Sequence, residues 1–333
     1  MLNEFLKEIF EITTNTRIHW VYLIPTVLIS LLYVRRLNLF NFKYFWNQSS
    51  KLDLKLFLTN RIFKFFFILP FEVAAIYQVC KLVLSSSNLP NLGLNLSSTS
   101  ALVLYTSALF VFDDFLRFIQ HYIMHKVPAL WEIHKVHHSA HTLNPMSLYR
   151  VHFIEVGISA IRRIFGTTVL TCTMFVISTQ SISGYQIAGA LAFNFIFNVL
   201  GGNLRHSHIP LSFGFLERIF ISPLQHQIHH SKNSAHFDKN FGVALSVWDQ
   251  IFKTWHKGRV SSPIKVGLSY NERNHTNDLV SALFDPLKTA GRKIFKIKSK
   301  QKTYRPATPA DLFLEPSTIH QPILSQKQQG ELL

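Results

Sequence analysis

Residues 18–34, "IHWVYLIPTVLISLLYV", carry no Asp, Glu, Lys or Arg and stop at Arg35 and Arg36. A run of this length and character spans hydrocarbon as a helix, because lipid offers no partner to a free backbone N–H or C=O. Residues 62–84 are a second candidate, and a third helix starts near Ala101 and continues to about His125. Residues 164–180 and 185–200 are a fourth and fifth, split by "SISG", or else a short hairpin that does not cross fully. Only 16% of the chain is charged, against roughly 25% in soluble domains. The expected fold class is therefore all-α, an integral membrane helical bundle of about four to five transmembrane helices with a helical cap. Leu2, Phe5, Leu6, Ile9 and Phe10 share one helical face, as in an amphipathic interfacial helix or an ordinary packed N-terminal helix.

The net charge of +16 suits nucleic acid or an anionic membrane surface, and the apolar runs favour the membrane and no nucleic-acid partner. Lys and Arg on short loops mark the cytoplasmic side. Residues 35–64 and 121–163 hold many, while 85–100 holds no charge. That pattern puts 121–163 and 201–333 on the cytoplasmic side. Cys80 and Cys172 both lie in apolar runs, so they read as buried thiols and imply neither a disulfide framework nor a cysteine zinc site.

Three short stretches gather histidine: "HYIMH" at 121–125, "HKVHH" at 134–138 and "HQIHH" at 226–230. On a helix, residues three and four apart share a face. His121 with His125, His134 with His137 and His138, and His226 with His229 and His230 each present two or three imidazoles from one element. Eight nitrogens are too many for one ion, so two metals with four or five nitrogens each fit better. Imidazole suits Fe, Zn, Cu and Ni, and no full set of Glu and Glu-x-x-His ligands, as soluble di-iron bundles use, appears. Asp114 lies two turns before His121 on the same face, where an ionisable group is costly and often functional.

These stretches resemble the histidine boxes of the fatty acid hydroxylase/sterol desaturase superfamily of integral-membrane di-iron enzymes. Asp114 seven residues before the first box, "LWEIHKVHHSAHTLNP", "RVHFIE", "PLQHQIHH" and "DKNFGVALSVWDQIFKTW" extend the likeness over roughly 100–257. The resemblance implies two iron ions per chain held by His121, His125, His134, His137, His138, His226, His229 and His230, with His206 of "LRHSHIP" as a ninth ligand. His208 stands where Asn is usual, as a hydrogen-bonding substitute or a tenth ligand, and Gly202 where some members have a further histidine. Asp114 and His208 are the candidate catalytic residues. His152, Glu155, Asp238, Asn240 and Asp249 are candidate acceptors for metal-bound imidazoles, with Arg150 as scaffold.

The implied activity is an O2-dependent oxidoreductase that hydroxylates or desaturates a lipid, a sterol or a fatty acyl chain. No flavin fingerprint, haem segment or ferredoxin cysteine run is present in the sequence, so electrons are expected from an external ferredoxin, cytochrome or reductase. One rival is an ether-lipid-cleaving monooxygenase of the same superfamily. Another is a non-enzymatic metal-binding or transport protein, which the placement of the clusters after the apolar segments disfavours, since transporters bind near the midplane. The domain division expected is 1–100 for the amphipathic segment and first two transmembrane helices, 101–257 for the catalytic domain and 258–333 for a basic, partly disordered tail. Residues 288–303, basic without an acid, read as a membrane-surface or disordered arm. The absence of a retrieval signal or fused cytochrome leans toward a bacterial inner membrane over endoplasmic reticulum.

Overall fold

A computed structural model describes residues 46–72, 74–75, 78, 92–178, 189–190, 201–259, 264–269 and 278–303. The amphipathic start, the apolar run 18–34, most of 73–91 with Cys80, nearly all of 185–200 and the chain beyond 303 lie outside the described residues. What is described is helical, with isolated bridges such as Phe220 to Leu245.

Helix α1 runs from Gln48 to Phe63, started by Asn47, whose side chain accepts from the Ser50 amide. Leu52 and Leu56, one turn apart, pack on Val136 and Ala282. A π turn at Lys64–Ile68 extends it, and Phe65, Phe66, Phe67 and Phe71 all point outward. Such a row of exposed aromatic rings is unfavourable against water and suited to lipid.

Helix α2, Ser98–Lys126, is one unbroken element, and its ends agree with the sequence expectation. Ala101, Tyr105 and Leu109, each four residues apart, are buried. Tyr105, Leu109 and Met174 share one cluster, and the Tyr105 hydroxyl lies 3.0 Å from Thr171 Oγ1. The helix ends because Pro128 follows Val127, which is extended (φ −91°, ψ 115°). A residue before proline is pushed out of the helical region, and proline is well placed as the first residue of the next helix. Helix α3, Pro128–His138, therefore starts at once in a new direction and folds the second histidine box back onto the first.

Helix α4, Phe153–Ile177, is the described helix long and apolar enough to cross a membrane. It begins at Phe153 rather than near 164, because two features hold the earlier residues helical. The His152 side chain caps the Ile154 amide, and Arg162 and Arg163 are paired with Asp113 and Glu72. Ile161, Phe165 and Val169 face outward. At Gly166 an added Cβ would lie 2.8 Å from Leu116 Cδ1, so a larger residue there would make the Leu116 side chain shift where α2 and α4 pack.

Two short helices follow, α5 at Pro223–His229 and α6 at Val247–Ile251. Helix α7, Leu279–Thr303, is the last described element. The basic stretch is helical where it is described, and Lys293 pairs with Glu132 of α3. His152 Nε2 donates to the Leu283 carbonyl over 2.9 Å, tying the start of α4 to α7.

The segment between α3 and α4 is anchored by Arg150, which is fully buried. Its guanidinium donates to the Val136 carbonyl, Ser139 Oγ, the Ser49 carbonyl and Asp53 Oδ1, the last at 2.9 Å. Asp53 is fully buried as well, so removing it strands a charge where water cannot reach. Asp53→Ala is expected to lower the unfolding free energy by about 3–5 kcal/mol, read from denaturant unfolding in neutral detergent. A loss of under ~1 kcal/mol, the range of an exposed pair, would contradict the buried anchor.

Candidate metal centre

The change of direction at Pro128 and the short helix α5 bring the three histidine boxes together. Their side chains sort into two groups, His121, His125, His134, His138 and His229 in one, and His137, His206, His226 and His230 in the other. Within each group the ligating atoms lie within 4.8 Å of one another. The boxes interleave. Helix α3 gives His134 and His138, one turn apart, to the first group and His137 to the second. Helix α5 and its C-cap give His226 and His230 to the second and His229 to the first. The groups touch where the His138 and His230 rings stack with centroids 4.3 Å apart.

Several rings are held by one nitrogen and leave the other bare. His121 Nδ1 donates to the Phe241 carbonyl and His229 Nδ1 to the Lys239 carbonyl, both over 2.8 Å. His134 Nδ1 meets the Glu155 carboxylate at 3.1 Å. Nε2 of His121, His134 and His229 is then buried without a protein partner, as are Nδ1 of His226 and both nitrogens of His230. Each such atom would cost about 1–3 kcal/mol if it stayed unsatisfied. Other nitrogens are nearly in contact, His125 Nε2 with His138 Nε2 at 3.1 Å and His206 Nε2 with His226 Nε2 at 2.9 Å. Two nitrogens bound at right angles to one ion, each ~2.1 Å from it, are ~3.0 Å apart. The donor set therefore fits a pair of imidazole-binding metal ions. His137 Nδ1 to the Arg150 carbonyl (3.3 Å) and His206 Nδ1 to Ser147 Oγ (3.2 Å) complete the outer contacts.

Burial also sets the charge state. It pushes His229 down to about 3 and His137 to about 4. Burial and neighbouring imidazoles hold His138, His206, His226 and His230 well below the usual histidine range. At neutral pH these rings are uncharged, the state that binds a cation.

The remaining sequence candidates divide by what they touch. Glu155 contacts a box histidine directly. Asp114 is committed to the Ala244 amide (2.8 Å), the Leu245 amide (3.0 Å) and Trp248 Nε1 (2.9 Å), so it pins the segment after the third box to α2. Asp249 accepts from the Phe241 and Gly242 amides, both at 2.8 Å, and from Thr254 Oγ1; burial pushes it up to about 6. Asn240 donates to the Gln225 carbonyl and accepts from the His256 amide. Asp238 faces outward, with Lys126 at 2.6 Å. His152 caps α4. None of these last four touches a box histidine. His208 lies in neither group.

The contacts with Phe241 and Lys239 come from backbone carbonyls, which no residue type announces. Their signal is indirect: Asp238 and Asn240 both adopt φ 58°, a left-handed conformation that Asp and Asn tolerate better than most residues. The loop "DKNF" thus turns twice and sends the 239 and 241 carbonyls to two histidines. The capping box Ser222–Gln225, with Pro223 at the first position, is a legible start signal for α5. Glu217, fully buried and accepting from Ser222 Oγ at 2.8 Å and the Gly258 amide at 2.8 Å, had no such signal.

Fold and site together define an all-helical chain with a buried, all-imidazole candidate dimetal site beside a helix able to span a membrane. Residues 106–254 match the family model described as "Fatty acid hydroxylase". It is 28% identical over 186 residues to ornithine lipid hydroxylase OlsE of Rhizobium tropici, covering 55% of this chain and 50% of that protein. It is 27% identical over 161 residues to alkylglycerol monooxygenase of Caenorhabditis elegans (48% of this chain, 29% of that one). The human alkylglycerol monooxygenase is 25% identical over 142 residues, 43% of this chain and 28% of its own length. The match thus spans half of the first relative and under a third of the other two. No solved structure matches the chain.

Glu155→Gln keeps the shape but removes the charge behind His134, and is expected to weaken metal binding by roughly 10–100-fold, measured by chelator competition. The pH dependence follows from the depressed histidines. Above pH 6.5 both folded and unfolded rings are neutral. Between 6.5 and about 4 the unfolded chain takes up protons that His137 refuses, so stability falls as pH falls. The unfolding midpoint of metal-stripped protein should drop across that window. A flat profile would show that the rings are not buried neutral.

Proposed function

We propose that the protein is a membrane-bound oxygenase that uses O2 and electrons from an external donor to hydroxylate a lipid. The observation that carries this is the pair of interleaved histidine groups, five rings and four, at the end of an apolar helical bundle. His121, His125, His134, His138 and His229 would hold one iron, and His137, His206, His226 and His230 the other. Bound there, the two irons would supply activation of O2 toward an unactivated C–H bond.

The chain's own residues provide placement. Phe241, Lys239, Glu155, Arg150 and Ser147 fix ring orientation through the second nitrogen. Asp114 and Asn240 hold the carbonyl-bearing loop, as positioning residues. A cavity of about 410 Å³ runs from Leu109, Gly166 and Thr167 to His121, His134, His137, His206 and His226. It joins the flanks of α2 and α4 to both histidine groups, which is how a chain lying between the helices would reach the site. His208 fills a hydrogen-bonding place outside the groups. The Lys and Arg pattern supports a membrane position with the metals on the cytoplasmic side.

The ornithine lipid hydroxylase relative supports hydroxylation of a polar lipid. The alkylglycerol monooxygenase relatives support a second reading, oxidative cleavage of an ether lipid. Both put oxygen on a C–H carbon and differ in whether that carbon bears an ether oxygen. Neither named activity is a desaturation. Lipid mass spectrometry of cells with and without the gene separates these outcomes: a gain of one oxygen in an intact lipid, or loss of an alkyl chain as aldehyde. Anaerobically purified protein should hold about two irons per chain. A value near one, or zinc retained in fully active protein, would remove the di-iron reading. His134→Ala and His230→Ala should each abolish product and lower bound iron, while His208→Asn keeps substantial activity. The reverse pattern would show that the ligands are misassigned.

A further inference from the structure

The cavity that reaches the histidines is unusually cationic. Arg61, Lys64, Arg117, Arg162, Arg163 and Arg205 line it, against only two lining carboxylates, Asp113 and Glu155. Those carboxylates are committed. Asp113 holds Arg117 at 2.7 Å and also pairs with Arg162, and Glu155 faces His134. Arg163 is taken by Glu72.

Arg61 and Arg205 are different, because neither side chain has a hydrogen bond or ion pair among the described residues. Arg205 is only 7% exposed. An added Cβ at Gly201 would sit 3.2 Å from Arg205 Nη1, and one at Gly202 would sit 3.8 Å from Nη2. The guanidinium thus lies over the two glycines of "GGNLRH", in space that side chains would otherwise take. The acid whose field it feels, Asp114, already accepts from three donors. Arg61 sits 5.0 Å from the centre of the Phe57 ring. A buried guanidinium without a carboxylate is costly and is geometrically suited to two oxygens of an arriving carboxylate or phosphate. Leu109, Leu148, Val151 and Val156 supply apolar wall in the same cavity.

We propose that this cavity binds an amphiphile with an anionic headgroup, a carboxylate or a phosphate, with Arg205 and Arg61 as its charge partners and the apolar wall against its chain. The inference rests on the lipid reading above, but it concerns binding and is tested without turnover.

The test uses the full chain, purified with its metal in neutral maltoside micelles. Binding of oleate, oleoyl lysophosphatidic acid and the uncharged monoolein is measured by native mass spectrometry, with inorganic phosphate as competitor. At least one of the two anionic probes should bind about tenfold or more tightly than monoolein, and Arg205→Gln and Arg61→Gln should each remove most of that preference. Which anionic probe binds more tightly identifies the headgroup as carboxylate or phosphate. Metal content per chain is measured for every variant. If Arg205→Gln loses metal, Arg61→Gln, on a helix that carries no histidine box, decides. Equal binding of monoolein, or an anion preference untouched by Arg61→Gln, overturns the proposal. So does displacement of the amphiphile by an equal concentration of inorganic phosphate, which would make the site one for a free anion. Anion-selective binding without oxygen insertion would leave this inference standing and remove the oxygenase reading. Oxygen insertion into a neutral lipid would do the reverse.

Discussion

Every nitrogen on a buried imidazole needs a partner, and that requirement organises most of the described structure. An imidazole has two nitrogens in one rigid ring. If one faces its neighbours across a small gap, the other must find an acceptor on the opposite side. With nine rings in two groups, the acceptors must arrive from several directions at once. Glu155 comes from α4, the Arg150 carbonyl and Ser147 from the connection before it, and the 239 and 241 carbonyls from the loop beyond α5. The fold around the site is largely the apparatus that delivers these acceptors.

That apparatus explains the buried acids, which at first look like reacting groups. Asp114 and Asp249 accept backbone amides of 241, 242, 244 and 245. A carboxylate so used acts like a clamp on the loop, and the loop's carbonyls then orient His121 and His229. Gly242 belongs to the same device. An added Cβ there would lie 2.6 Å from the Leu245 carbonyl oxygen and 2.8 Å from Asp249 Oδ2, so no other residue lets the carboxylate reach the 242 amide.

The histidines were legible because i, i+3 and i+4 spacing converts directly into a shared helical face. What spacing did not show is how the faces divide. His137 lies between His134 and His138 in the box, yet turns to the other group, and that is decided by where α5 sits. The long helix α2 was legible from its apolar run. The start of α4 was not, because Arg162 and Arg163 look like the end of a membrane segment until Asp113 and Glu72 are seen beside them. Among the acceptor candidates, Glu155 is the one whose side chain meets a box histidine. The other direct acceptors are mostly carbonyls, and their positions depend on backbone dihedrals at Asp238 and Asn240.

Charge links the site to the cavity beside it. Imidazole ligands are neutral, so a set of nine brings no negative charge to the cations it holds, unlike carboxylate-rich di-iron bundles. Among the described residues Glu155 is the one carboxylate in direct contact with a box histidine. The adjoining cavity adds guanidinium groups, two of them without a carboxylate of their own. Cations in a low-dielectric space repel one another over long distances, and an arriving anion would relieve that repulsion. The same field that would draw in an anionic headgroup would also repel a cationic one, so selection among lipids would operate at entry, before any C–H bond is near the metals.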